Sequence, residues 1–132
     1  MRGLWLTRAL IFTVIVWNLQ AAFVFLFSPE AIAPGFELSG IPGAAAVRGI
    51  ALLFVMWNVP YIVACWQPQK HSLALKEALA MQSIGLLGES WIFISLSAEH
   101  TLLQSSILRF IAFDAAGLVL LAIAFVLARQ SK

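Results

Sequence analysis

The chain is poor in charged residues. Only 11% of its 132 residues are charged, while 62% are hydrophobic and the mean hydropathy is +0.96. A soluble domain carries roughly 25% charged residues and keeps much of its surface polar, which eight basic and six acidic side chains cannot provide. This composition excludes a disordered tail, an ordinary soluble domain and a nucleic-acid partner. It indicates that the partner of the chain is a lipid bilayer.

Cysteine and histidine are equally scarce. The single Cys65 excludes an intrachain disulfide, a CxxC redox pair and a cysteine-based zinc site. His71 and His100 flank an apolar run that is long enough to cross a bilayer, so they cannot share a metal ion or a haem. No histidine lies within the apolar runs as a base for a nucleophile. We therefore expect a non-enzymatic protein without a metal or another cofactor.

Long apolar runs dominate what is present. A bilayer-crossing helix needs about 20 mostly apolar residues, and prolines, glycines and polar clusters separate the candidates. Four spans are predicted: Trp5–Phe27, Ala44–Trp66, Glu77–Ser97 and Ser106–Ala128. The predicted connections are Ser28–Gly43, Gln67–Lys76 and Ala98–Ser105. The sequence predicts an all-α, single-domain, up-and-down bundle of four transmembrane helices over residues 1–132.

The basic residues predict the orientation. Cytoplasmic loops and tails are enriched in lysine and arginine. With both termini inside, the inner side carries Arg2, Arg8, Lys70, Lys76, Arg129 and Lys132. The outer connections contain no lysine or arginine and carry Glu30, Glu37 and Glu99. We therefore predict an N-in/C-in topology.

Several polar residues lie within the predicted spans. A charged side chain at the centre of a membrane helix costs on the order of 3 kcal/mol, so each should face the bundle interior and have a partner. The predicted polar core, either ligand-binding or structural, consists of Asn18, Arg48, Trp57, Asn58, Gln82, Glu89, Arg109 and Asp114.

The depths of these residues predict how they pair. At ~1.5 Å per residue, Arg48 and Arg109 lie about one helical turn outside Glu89 and Asp114, and Gln82 lies deeper. Two arginines above two carboxylates predict interhelical ion pairs. Spacing places Gln82 and Glu89 on one face of the third span.

Two interpretations of this core remain open. A closed clasp of ion pairs would fix the order of the helices and do nothing else, whereas a pocket open to the outer face or to the outer leaflet would bind a ligand. Gly85 and Gly117 each lie close to an acidic residue and would leave room for a neighbour. The small pairs Ala45/Gly49 and Ala112/Ala116 have the spacing of close helix contacts.

The first connection carries a family resemblance. Ser28-Pro29-Glu30, Gly35 and Gly40 follow the first span, and Arg48-Gly49 opens the second. Over roughly residues 20–60 this pattern resembles the DoxX-like group of small four-helix bacterial membrane proteins. The resemblance implies a multi-pass protein of the inner (cytoplasmic) membrane, and some members of that group are subunits of quinone-linked oxidoreductases. It assigns no catalytic residue.

Two functions follow as expectations. The first is an accessory subunit of a larger membrane complex, or a binder of a small amphipathic ligand such as a quinone or a lipid. The alternative is a small transporter, working as a homodimer, in which Glu89 and Asp114 carry the transport chemistry. Intramembrane charges motivate this alternative, as does an arginine followed by Trp-Asn that recurs in the first two spans.

Overall fold

The computed structural model describes residues 2–130, and within this range the backbone is helical apart from short connections and contains no strand. The helices are α1 (Arg2–Phe27), α2 (Pro29–Ile32), a 3₁₀ helix (Ala33–Phe36), α3 (Gly40–Trp66), α4 (Ser72–Ser95) and α5 (Thr101–Gln130). The four long helices are apolar enough to cross a membrane, which confirms the predicted class and span count. Lys132, used to predict the orientation, lies outside the described residues.

The helix ends differ from the prediction mainly at the starts. α1 and α3 end at Phe27 and Trp66 as predicted. The stretch predicted as the first loop contains α2 and the 3₁₀ helix, and α3 already begins at Gly40. Proline is compatible with a first helical turn, where its missing N–H has no intrahelical partner, so Pro42 does not delay α3.

The other two long helices also begin earlier than predicted. α4 begins at Ser72 and α5 at Thr101, five residues before the predicted starts at Glu77 and Ser106. The first turns mix apolar with polar residues, such as Lys76 on α4 and Gln104 on α5, and the apolar-run criterion does not count them although they are helical. This shift of five residues changes the depth of every side chain on α5.

The long helices form a four-membered ring. α1 packs against α3 and α5, and α4 packs against α3 and α5. We call the end that carries α2 and the 3₁₀ helix the cap end, and the end that carries the turn at residues 67–71 the hairpin end. Arg8 donates a 2.7 Å hydrogen bond to the carbonyl of Trp66 at the hairpin end, which satisfies a carbonyl at the C-terminus of α3.

The two ends have different cores. The hairpin-end core combines large aliphatic residues with alanines from all four long helices: Ile11, Val14, Ile15, Tyr61, Ala64, Ala74, Leu75, Ala78, Leu121, Ala124 and Ala128. The cap-end core contains no residue of α4 and is rich in phenylalanine: Phe25, Ala33, Val47 and Ala51, with Leu26, Ile32, Phe36, Ile50, Phe54 and Phe110 packed against them. α4 therefore leaves the common core as it approaches the cap end.

The small-residue pairs do not mediate contacts within the chain. Ala45, Gly49, Ala112 and Ala116 are all exposed on the outside of the bundle. A Cβ built on Gly49 would meet no atom within 4 Å. The prediction that these pairs bring helices of this chain together is therefore wrong.

Candidate functional site

A chain of hydrogen bonds crosses the middle of the bundle. The Trp57 indole N–H donates to the Tyr61 hydroxyl at 3.0 Å, and that hydroxyl donates to Gln82 Oε1 at 2.6 Å. The Gln82 amide N–H donates to Asp114 Oδ1 at 2.9 Å. Tyr61 and Gln82 are fully or almost fully buried. These bonds join α3, α4 and α5 and hold the Asp114 carboxyl group in a defined orientation.

Two glycines make room for this chain. A Cβ on Gly85 would overlap Oδ2 of Asp114, and a Cβ on Gly117 would lie 2.6 Å from Nε2 of Gln82. Each of these Cβ positions would be closer to its neighbour than real Cβ atoms come to other atoms. A residue larger than glycine would therefore displace the hydrogen-bonded groups. The expectation that glycines beside the acidic residues leave room for a neighbour is confirmed, and the neighbours are Asp114 and Gln82.

We call residues 29–37, which comprise α2, the 3₁₀ helix and Glu37, the cap segment. A pocket of about 510 Å³ lies between α1, α5 and the cap segment. Its volume falls within the range of about 300–1,000 Å³ that is typical of ligand sites. Trp17, Asn18, Gln20, Ala21, Val24, Phe25, Ala31, Ile32, Gly35, Phe36, Phe54, Ser106, Arg109, Phe110, Phe113 and Asp114 line it. Asp114 therefore belongs to both the pocket wall and the hydrogen-bonded chain.

Aromatic rings form most of the apolar wall. Phe110 lies 5.8–6.0 Å, centroid to centroid, from Phe25, Phe36 and Phe54. Nearer the pocket mouth, Phe113 meets Trp17 edge to face at 6.1 Å. Such aromatic pairs stabilise the wall by more than the burial of their apolar surface alone.

The mouth of the pocket lies between α1 and α5. Gln20 and Val24 on α1 and Arg109 and Phe113 on α5 are all exposed and line the pocket. Because these exposed residues lie on two adjacent helices, the gap opens toward the apolar surface that the bundle would present to lipid.

The two arginines do not pair with the intramembrane acids. Arg48 lies on the exterior, 3.4 Å from Glu30 Oε1, and donates to the carbonyl of Leu26. Within residues 2–130, no ion pair joins either arginine to Glu89 or Asp114. The predicted clasp of ion pairs is therefore absent, because Arg48 finds acceptors at the nearby end of α1 and on α2.

Arg109 occupies the rim of the pocket. It donates to the carbonyl of Ser105 at 3.4 Å and to the Ser106 hydroxyl at 3.1 Å. Asp114 lies five residues further along α5, about 7 Å deeper along the helix axis. The guanidinium therefore lies toward the cap end, away from the carboxyl group.

Two other predicted core residues have unsatisfied oxygens. Glu89 Oε2 and Asn58 Oδ1 are buried and have no hydrogen-bond partner, while the Asn58 amide donates to the carbonyl of Phe54 at 2.7 Å. Glu89 lies close enough to Asp114 for their carboxyl groups to interact electrostatically. The interior face predicted for α4 from its spacing is confirmed by Gln82, Gly85 and Glu89.

Polar contacts fasten the cap segment over the pocket. The Ser106 hydroxyl donates to the carbonyl of Gly35 at 2.6 Å. His100 Nδ1 lies 2.6 Å from Glu37 Oε2, and the backbone N–H of Leu103 donates to Glu37 Oε1 at 3.4 Å. The hydrogen bond between Glu37 and His100 lowers the pKa of Glu37 and raises the pKa of His100. Glu37 also has a positive φ of 57°, which turns the chain at the end of the 3₁₀ helix.

The eight predicted core residues therefore divide into groups. Trp57, Gln82 and Asp114 share the hydrogen-bonded chain, while Asn18, Arg109 and Asp114 share the pocket. Asn58 is buried and Glu89 is partly buried, and neither belongs to these two groups, while Arg48 lies outside.

Sequence reasoning missed Tyr61, which connects Trp57 to Gln82. It is the only tyrosine in the chain and follows Trp57 by one helical turn, and this spacing could have found it.

Comparisons with protein-family models, curated proteins and solved structures give no match.

Proposed function

We propose that this chain is a non-enzymatic membrane protein that binds a small amphipathic ligand in the pocket between α1 and α5. The observation that carries the proposal is a pocket of ligand size with aromatic walls and a few convergent polar groups. Asn18, Arg109 and Asp114 supply those groups. The ligand is of the quinone or lipid class, and the protein acts alone, as a homo-oligomer or as an accessory subunit of a larger complex.

The position of the mouth supports this ligand class. Exposed Val24 and Phe113 flank the opening, so a molecule dissolved in the bilayer could enter without crossing water. Its apolar part would contact the phenylalanine wall, and its tail would extend into lipid. A purely water-soluble ligand would have no comparable route.

The proposal also includes the orientation and the membrane. Basic residues at the hairpin end and both tails favour a cytoplasmic location for that end. The cap end and the pocket would then lie in the outer half of a cytoplasmic membrane. The resemblance to the DoxX-like group supports the same assignment.

Native mass spectrometry of protein extracted from its membrane tests this function. We expect a copurified lipid or quinone that is lost when Ala21 in the pocket wall is changed to Phe. Ala45→Phe is the matched control, because Ala45 is exposed outside the pocket. Equal ligand occupancy in both variants, or none in the wild type, would contradict ligand binding in this pocket.

The transporter is the second candidate function. It is favoured by the buried, unpartnered oxygen of Glu89 close to Asp114, since an intramembrane acid without a structural partner is typical of ion pathways. Uptake into liposomes that contain purified protein tests it. Flux that is lost in Glu89→Gln but kept in Glu77→Gln, a change at an exposed carboxylate, supports transport. Wild-type liposomes without flux would reject it.

A further inference from the structure

Two carboxyl groups, those of Glu89 and Asp114, face the bundle interior without a matching cation among residues 3–130. Asp114 lines the pocket and Glu89 lies within electrostatic range of it. Among residues 3–130, no lysine, arginine or histidine lies within ion-pair distance of either group. A buried carboxyl group without a positive partner is unfavourable, so this imbalance points to a positive charge supplied from outside the chain.

The Asp114 carboxyl group is held in place by its neighbours. Its Oδ1 accepts the hydrogen bond from Gln82, whose own Oε1 is occupied by the Tyr61 hydroxyl. The Gln82 amide also reaches the Asp114 carbonyl at 3.3 Å. Both bonds from the Gln82 amide present N–H donors to Asp114, and neither brings a full charge. The carboxyl group is therefore oriented by uncharged donors and has no ion-pair partner among residues 3–130.

The pocket walls favour the same kind of ligand. The apolar part of the pocket is lined by Phe25, Phe36, Phe54 and Phe110, and Trp17 lies at its mouth. The faces of aromatic rings attract cations, especially organic cations whose apolar substituents also gain from burial. An aromatic wall next to an oriented carboxyl group is thus complementary to an alkylated ammonium group.

We infer that the ligand of this pocket is an amphipathic organic cation, whose ammonium group meets Asp114 and whose apolar part packs against the phenylalanine wall. This inference rests on the proposed function. Of its two ligand classes it selects a lipid with an ammonium group and excludes a quinone.

Arg109 does not oppose this assignment. Its guanidinium is bound to the carbonyl of Ser105 and the hydroxyl of Ser106, on the cap side of the pocket. A cation at Asp114 lies deeper by about 7 Å along α5. Arg109 would weaken cation binding somewhat and would attract an anionic head group, so it provides a variant with opposite effects on the two charges.

Three probes with one tail and different head groups separate the charge classes. Dodecyltrimethylammonium, dodecanol and dodecanoate are titrated into the full chain in nanodiscs of digalactosyldiacylglycerol, an uncharged lipid without an ammonium group, and tryptophan fluorescence is recorded with Trp17 at the pocket mouth. Empty nanodiscs correct for partition into lipid. We expect the cation to bind at least about tenfold more tightly than either other probe, because its positive charge is attracted to the Asp114 carboxylate in a site of low dielectric constant.

Asp114→Asn should lower the affinity for the cation by about tenfold or more and change the dodecanol affinity by less than about twofold. Glu77→Gln, which removes an exposed carboxylate, should change neither. If Asp114→Asn fails to fold, Arg109→Gln leaves the hydrogen-bonded chain intact. It should strengthen cation binding and weaken dodecanoate binding, whereas Lys70→Gln at the hairpin end should do neither.

The outcomes distinguish the two proposals. If dodecanol or dodecanoate binds as tightly as the cation, or if Arg109→Gln weakens cation binding, the cation inference is wrong while ligand binding stands. If no probe binds and Ala21→Phe has no effect on copurified material, the proposed function itself fails.

Discussion

The hairpin-end and cap-end halves of the bundle are built from the same four helices but pack differently. In the hairpin-end half, alanines such as Ala64, Ala78 and Ala124 are fully buried and bring the helices close together. In the cap-end half, α4 leaves the core, phenylalanine rings pack around Ala33 and Ala51, and a pocket remains. Small residues let the helices pack closely, whereas large aromatic residues hold them apart. One chain therefore combines a close-packed hairpin end with a ligand-sized pocket at the cap end.

The largest expected effect is in the hairpin-end core. Leu121 is fully buried, and Leu121→Ala should lower the free energy of unfolding by about 2–5 kcal/mol. Leu108→Ala, at an exposed position on the same helix, is the control and should cost much less. Thermal or denaturant unfolding in detergent measures the difference. Equal losses in the free energy of unfolding would contradict close packing in the hairpin-end core.

The second prediction compares two glycines on α4. Gly85→Ala places a methyl group against the Asp114 carboxyl group and should lower the free energy of unfolding by about 1–3 kcal/mol. Gly88→Ala meets no atom within 4 Å, and should be neutral or stabilising because alanine favours a helix. The same unfolding measurement applies. Two stable variants would show that the carboxyl group is free to move away from Gly85.

The smallest expected effect concerns the link between Glu37 and His100. The raised pKa of His100 means that its contribution is full below its ordinary value of 6.5 and is lost as the pH rises through the raised value. The lowered pKa of Glu37 means that its contribution is full above 4.5 and is lost as the pH falls through the lowered value. The link should therefore be strongest between pH 4.5 and 6.5.

The matching measurement is the melting temperature of the wild type minus that of His100→Gln across this pH range. We expect a small positive difference that is largest inside the window, because both side chains are solvent-accessible and screened. His71→Gln, in the turn at the other end, should give no such maximum. A difference that does not vary with pH would mean that the contact does not depend on charge.

Hydropathy predicted the four spans and helical spacing predicted the interior face of α4. The depths failed because α5 begins at Thr101, which places Asp114 13 residues, or about 20 Å, along the helix. Asp114 is thereby level with Gln82 rather than one layer above it. An apolar-run criterion does not detect a first turn that contains polar residues, so it cannot predict the level of Asp114 in the bundle.

The sequence also could not determine which acceptors the arginines bind. Charge balance suggested that Arg48 would pair with an intramembrane acid, but a flexible arginine binds the acceptors within reach, here Glu30 and the carbonyl of Leu26. Which acceptors are within reach depends on how the cap segment folds. That segment was predicted as a loop and contains two short helices.

The sideways mouth between Gln20 and Arg109 has a practical consequence for measurement. A molecule that enters from the bilayer equilibrates first with the lipid, so occupancy follows its mole fraction in the membrane rather than its total concentration. Doubling the amount of lipid at constant ligand should roughly halve the occupancy of an unsaturated site for a strongly partitioned compound. Apparent affinities from different preparations become comparable only after they are expressed per mole of lipid.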